Sequence, residues 1–311
     1  MQRLRLVRCV LALAMFSLLV ATHGTCAGDS SFVLTATERN FSRYTPTYLA
    51  NGFWSARSTL LGTSASPSQM VGLMDYQPED VSRPLAIPSW NEIDYFDGAE
   101  WRNASTVSAA THANYHQALD MHDGLLRTGY RWYDATRATD VSVTSLVSQS
   151  VPHLAAVSLE LTPHFSGPVR LRFTLRSVPA PQRMPLARMS AEQFSAAAAA
   201  TDQADLVSGG DRNAIWYPGY VEVTGSGSDT VEDTLWMEGR AARGRSVALA
   251  AAIALPPHVA VIQQSAQQSA GLAGLEIEVN LRQNHRYRFT KVVVASSQDW
   301  VAQRAMMWRL R

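Results

Sequence analysis

The chain is nearly devoid of lysine, and beyond its first residues it has no cysteine. Lys291 is the single lysine among 27 basic residues, the other 26 being arginine. The arginines are scattered, which excludes the concentrated basic patch of a nucleic-acid-binding surface and fits the biased codon usage of a GC-rich genome. Both cysteines, Cys9 and Cys26, fall within residues 1–27, so a chain cleaved after that point has no disulfide and must be held by its core. The apolar run near the N-terminus is about 13 residues long, short of the roughly 20 that a membrane-spanning helix needs. A nucleophile elbow, a P-loop, a dinucleotide fingerprint, zinc-finger spacing and any repeat of 20–50 residues are all missing. Gly225-Ser-Gly-Ser is a turn rather than a phosphate cradle, and nothing implies a cofactor.

What is present begins with a leader. Arg3, Arg5 and Arg8 precede the stretch Cys9 to Ala21, apolar apart from Ser17, and Thr25-Cys26-Ala27 offers a small-x-small cleavage site. Residues 1–27 therefore read as a signal peptide, giving a secreted or periplasmic product with no membrane span after cleavage. His23-Gly24-Thr25 fits a lipobox poorly, which disfavours Cys26 as a lipid-bearing N-terminus. With residues 1–27 removed, 24 basic and 26 acidic residues remain, a formal charge of −2. At 46% hydrophobic and 17% charged, the chain has the composition of a globular protein with a sizeable core.

Most of the remainder reads as strand. Val169 to Arg176 and Leu275 to Leu281 alternate apolar and polar residues without a fault, as half-buried strands do. Weaker candidates are 141–149, 154–162, 219–224, 230–238, 246–255 and 287–295. Punctuated by Gly, Pro, Ser and Asn, they predict an all-β fold, an antiparallel β-sandwich, with no strand–helix alternation to support a parallel sheet. Helix is expected in two places: an Ala-rich segment over Met189–Ala204, opened by a Ser190/Gln193 capping box, and a C-terminal stub starting at Ser297. Gln263 to Gly274, low in complexity, reads as an exposed loop. The division is thus a signal peptide over 1–27, a β-sandwich over 28–296 and a helical stub over 297–311.

Several residue groups invite chemistry. His112 and His116 have metal-ligand spacing only if helical, but their segment reads as extended, where they lie roughly 13 Å apart, and no third ligand is evident. No metal site is expected. Asp120 and Asp123, three apart in a turn, do not amount to a glycosidase's carboxylate pair; Asp120 more simply holds the turn before Gly124 through backbone amides. Glu276 and Glu278 share one strand face and are expected to be solvated and ionised. Eight tryptophans could include sugar-stacking platforms, although core packing is the commoner use of such rings. Trp216 and Tyr217, in Asn213-Ala-Ile-Trp-Tyr-Pro-Gly219, are the best exposed pair. Trp300 and Trp308, two turns apart on the stub, suit docking against a neighbour.

Asn51-Gly52-Phe53 with Arg57, then Leu85-Ala-Ile-Pro88-Ser-Trp90, then Leu119-Asp120-Met121 followed by Gly124, Leu126, Thr128, Tyr130 and Trp132, occur in an order that resembles the N-terminal domain of glycoside hydrolase family 65. The resemblance covers about residues 32–300. It implies a supersandwich that packs on an (α/α)6 barrel and often helps to form a homodimer. It also implies α-linked glucosides such as trehalose, maltose and kojibiose as substrates, hydrolysed or phosphorolysed with inversion by a glutamate of the barrel. No segment here matches that barrel. The function expected is therefore the non-catalytic N-terminal domain of a secreted, trehalase-like α-glucoside hydrolase, with no catalytic residue of its own. A carbohydrate-binding module or a structural domain acting alone is the alternative. Candidate sugar contacts are Trp216, Tyr217, Asp120, Trp54 and Arg57; candidate partners are an α-glucoside disaccharide or oligosaccharide and a separately encoded barrel.

The leader predicts export. N-terminal sequencing of the exported protein is expected to begin near Gly28; a lipid-modified Cys26 at the N-terminus would contradict the cleavage site.

Overall fold

The structure, a computed structural model, describes residues 32–37, 44–74, 84–103, 106, 111–177, 190, 192, 221–241 and 244–297. Among them the strands, in chain order, are β1 (Val33–Thr37), β2 (Tyr48–Ala50), β3 (Trp54–Arg57), β4 (Ser68–Met74), β5 (Pro84–Ile87), β6 (Ile93–Phe96), β7 (Trp101–Arg102), β8 (His112–Asp120) and β9 (Leu125–Tyr133). There follow β10 (Ala138–Val147), β11 (Leu154–Pro163), β12 (Gly167–Arg176), β13 (Glu222–Asp229), β14 (Thr234–Arg240), β15 (Ser246–Ala254), β16 (Val261–Ser269), β17 (Leu272–Leu281) and β18 (Tyr287–Ser297).

All of these strands pair antiparallel. One layer is a nine-stranded sheet in the order β1-β8-β9-β10-β11-β18-β15-β14-β13. The other combines a five-stranded sheet, β16-β17-β12-β6-β7, with a four-stranded one, β2-β3-β4-β5. Just beyond β5, Ser89 exchanges both backbone hydrogen bonds with Arg176 at the end of β12 (2.7 and 3.1 Å), which stitches the two shorter sheets edge to edge. The five-stranded sheet lies against β13 and β14 of the large sheet, and the four-stranded sheet lies against β10. The fold is therefore an all-β sandwich.

Alternation in sequence becomes burial in the core. Val169, Leu171, Phe173 and Leu175 of β12 stand opposite Val279, Ile277, Leu275 and Ala273 of β17, and all eight are fully buried. Leu235, Met237, Leu249, Phe289 and Val293 come from the facing sheet to the same cluster. Removing this area from water is the main driving force for the fold, at about 25 cal/mol per Å² of apolar surface.

The expectation of a loop at Gln263–Gly274 is corrected. Residues 261–269 form β16, hydrogen-bonded along β17. Backbone pairing with a strongly patterned neighbour makes this strand, and its Gln and Ser side chains are polar because it sits at a sheet edge. Two boundaries also move: the strand expected at 219–224 is Glu222–Asp229, and 230–233 is a turn ahead of β14. The expected Ala-rich helix, Ser190 and Glu192 apart, and the stub beyond Ser297 lie outside the described residues, as do residues 1–31.

One inward position of β18 breaks the apolar pattern. Tyr287, Phe289, Val293 and Ala295 are buried as expected, and between them stands Lys291, fully buried. Its Nζ crosses the core to donate to the backbone oxygens of Glu92 (2.6 Å) and Thr174 (2.9 Å) in the opposite layer. Burial lowers its pKa from the usual lysine value to about 7, against the opposing pull of the Glu92 and Asp94 carboxylates. A lysine whose folded pKa is depressed binds fewer protons in the fold than in the unfolded chain. Stability therefore rises with pH between about 7 and the ordinary value near 10.4.

Lys291→Met leaves the Thr174 carbonyl without this donor and is expected to cost about 2–3 kcal/mol. Urea unfolding should give a larger loss at pH 9 than at pH 6, because only wild type gains as the lysine sheds its proton. An equal loss at both pH values would contradict the buried, neutralised lysine.

Candidate functional site

Asn51 shows why a turn of this sequence is needed. Its Oδ1 accepts from the backbone N–H groups of Phe53 (3.0 Å) and Trp54 (2.8 Å), which closes the β2–β3 turn over Gly52 at φ +83°. Its Nδ2 donates to the carbonyls of Ser148 (2.7 Å) and Pro152 (2.9 Å) in the β10–β11 connection. One amide thus clamps the four-stranded sheet to the nine-stranded one. The turn sets Phe53 edge-on to His153 at 4.0 Å, and the His153 Nδ1 lies 3.1 Å from the Ala295 carbonyl. Phe53, Gln69, Met70, Val71 and Met74 line a largely apolar groove of about 300 Å³ on this sheet.

The block from Tyr115 to Trp132 fills the space beneath. Gln117, buried on β8, accepts from the Tyr44 hydroxyl (2.9 Å) and donates to the Thr59 carbonyl (3.0 Å) and Thr128 Oγ1 (2.9 Å). Trp132 stacks on His112 at 4.5 Å and 16°, with Tyr130 edge-on to both. His112 is thus a packing residue, while His116 lies exposed over Gly129, where a side chain would collide with its ring. Burial raises the Tyr44 pKa to about 12 and pushes the Tyr115 and Tyr130 hydroxyls further up, so these three hydroxyls stay protonated across the physiological range.

Asp120 ends β8 and accepts from the backbone N–H groups of His122 (3.1 Å) and Asp123 (3.0 Å) in the turn that closes on Gly124 at φ +66°. Asp123 faces the His122 ring (2.8 Å), which raises the imidazole pKa. Trp54 and Arg57 are only 1% and 7% exposed, and Trp54 packs edge-on against Trp90 at 5.5 Å. Neither presents a surface to a sugar in this conformation. Trp216 and Tyr217 lie outside the described residues.

Glu276 is corrected from solvated to enclosed. Its side chain is 11% exposed and accepts from Arg170 (2.9 Å), Arg172 (3.0 Å) and Gln267 (2.8 Å). The arginines of β12 in turn lie over the Phe96 and Trp101 rings at 4.2 and 4.0 Å. Glu92 is held at both oxygens by Arg176 (2.7 and 2.8 Å). Asp94 is the described carboxyl pushed furthest up, to about 6, by burial and then by Glu92, with Arg172, Arg176 and Lys291 pulling the other way.

The sequence from 28 to 307 matches the model of the glycosyl hydrolase family 65 N-terminal domain. The chain belongs to that family, as its N-terminal domain. A solved structure described as a kojibiose phosphorylase from the human microbiome shares the fold, with a TM-score of 0.62 and 12% identity over 88% of this chain. A heparan sulfate lyase of Pedobacter heparinus also aligns, at a TM-score of 0.31 and 8% identity, over 81% of this chain and 36% of its own. No curated protein matches the sequence. This chain spans 34% of the length of the kojibiose phosphorylase.

In this chain Asn51 and Gln117 therefore serve as joints between layers. Sequence reasoning missed the Lys291, Glu92, Asp94 and Arg176 cluster; the signal was a lone lysine at an inward position of an apolar strand. Asn51→Ala is expected to cost about 2–4 kcal/mol in urea unfolding, and Asn51→Asp, which keeps the two accepted bonds but loses the two donated ones, roughly half as much. An Asp variant as stable as wild type would contradict the clamp.

Proposed function

We propose that this domain is the non-catalytic sandwich of a secreted, trehalase-like α-glucoside hydrolase whose proton donor belongs to a separate (α/α)6 barrel. The observation that carries the reading is the family match over 28–307, in a chain whose fold aligns with 34% of the kojibiose phosphorylase chain. The leader favours hydrolysis, since phosphorolysis draws on cytoplasmic phosphate. The α-glucoside is a disaccharide or short oligosaccharide, and the sandwich contributes to its binding at Trp216 and Tyr217.

The carboxylates support this reading. Inverting transfer needs a protonated acid and a free base on opposite faces of the sugar, both held with tight tolerance. Asp120 is committed to its turn, Glu276 to two arginines and Glu92 to Arg176. Asp94 has the raised pKa of an acid, but its neighbour Glu92 has no free oxygen with which to act as base.

The purified chain is expected to release no glucose from trehalose, maltose or kojibiose, with or without inorganic phosphate. Calorimetry should detect weak disaccharide binding that Trp216→Ala removes. Glucose release abolished by Asp120→Asn would place an active site in the sandwich and overturn the proposal.

A further inference from the structure

Of the five described tryptophans, Trp54, Trp90 and Trp132 are sealed in the core, and Trp101 lies beneath the Arg172 guanidinium. Trp236 is the one open to solvent, at 43%. It stands on the outer face of β14 in line with Thr234, Glu238 and Arg240, while Leu235 and Met237 are buried on the other face. A single surface aromatic needs no explanation. The bed under this ring does.

On β13 the register sets Gly227 opposite Trp236 and Gly225 opposite Glu238. A Cβ at Gly227 would stand 2.6 Å from the indole Nε1 and 2.8 Å from Cε2, and one at Gly225 3.1 Å from Cζ3. The two rings of the indole therefore rest on two successive outward glycines, and a side chain at Gly227 would tip them off the sheet. Glycine weakens a strand and marks the close approach of another group. On the other side, β15 sets Ala250 level with the ring, and Ala252 and Ala248 level with Thr234 and Glu238. These methyl groups form a low floor that leaves the ring unwalled. One indole face is thus pressed on backbone and the other looks outward, ordered before any ligand arrives.

The surroundings select the ligand. The hairpin that carries the ring, residues 221–241, holds five acidic residues (Glu222, Asp229, Glu232, Asp233 and Glu238) and one basic residue, Arg240. Such a surface repels polyanions, which excludes nucleic acids, sulfated glycans and anionic lipid. A quaternary ammonium is held by a cage of several rings, and this ring has no aromatic neighbour on its face of the sheet among the described residues. A neutral pyranose matches the site. It can lay one face of C–H groups on the indole, and its rim hydroxyls can reach the Thr234 hydroxyl and the Glu238 carboxylate, each roughly 7 Å along the strand. We propose that Trp236 is a stacking platform for a neutral polysaccharide. The platform is separate from the Trp216 and Tyr217 contact and does not rest on it. One ring face holds one sugar weakly, whereas a polysaccharide offers it many equivalent sugars and raises occupancy in proportion, so the site takes a chain rather than a free disaccharide.

Electrophoresis of the full chain through native gels holding soluble starch, hydroxyethylcellulose or dextran sulfate tests this. At least one of the two neutral polymers should retard the wild type, which also tells an α-linked from a β-linked chain, and dextran sulfate should not. Trp236→Ala should lose the retardation, and Trp236→Tyr should keep part of it. Gly227→Val keeps the indole but tips it, and should lose retardation as well, with a circular dichroism spectrum like that of wild type. Trp216→Ala should stay retarded, so a failure of the disaccharide contact is read apart from a failure of this site. A wild type that neither neutral gel retards would overturn the assignment. So would a Trp236→Ala variant retarded as strongly as wild type, the result expected if the ring only shields β13 or covers a protein partner. Retardation by dextran sulfate equal to that by the neutral polymers would do the same.

Discussion

Lys291 reaches from the nine-stranded sheet to the carbonyls of Glu92 and Thr174, and the seating of the second layer depends on that contact. The two acceptors lie where the four- and five-stranded sheets meet. Thr174 N–H donates to the same Glu92 oxygen (3.2 Å), Ser89 bridges to Arg176, and Arg176 returns to the Glu92 carboxylate. A seam between two short sheets would otherwise bury backbone groups without partners, at about 1–3 kcal/mol each. A fully buried ammonium is costly as well, and the chain lessens that cost by letting the lysine lose its proton near neutrality. The Glu92 and Asp94 carboxylates on the far side limit how far that loss goes.

The residues that carry the resemblance, and those they bond to, have a common physical meaning in this domain. Asn51 ties the turn of the small sheet to a turn of the large one. Gln117, Tyr44, Thr59 and Thr128 form a buried hydrogen-bonded net between the same layers, and Trp132 with His112 and Tyr130 packs beside it. Asp120 shapes a hairpin turn. Each residue meets a demand of a two-layer β fold: closing a tight turn, satisfying a buried polar group or filling a wide inter-sheet gap.

How much of this was legible in the sequence depended on where each interaction is made. Val169–Arg176 and Leu275–Leu281 announced themselves, because alternation over seven or eight residues is a local consequence of one buried face. The Asp120 turn was equally local. β16 was not legible: its side chains carry no burial signal, and its strand character comes from β17, a neighbour on the far side of a turn. Glu276 looked solvated because its arginines come from β12, more than a hundred positions away. Trp54 offered no sign of its depth, which only the second layer confers. The lone lysine was visible, and so was its place in an apolar strand; the two had only to be read together.

Because Lys291 is the only lysine in the chain, one resonance reports on the central contact. Protein labelled with 13C at lysine Cε should give a single signal in a carbon–proton spectrum, and its shift can be followed from pH 5 to pH 11. With the ammonium sealed between the sheets and bonded to two carbonyls, the signal should titrate near pH 7 and be shielded from solvent exchange. A signal that titrates near 10.4, the value of an exposed lysine, would mean that the side chain leaves the core, and the account of how the layers are joined would fail.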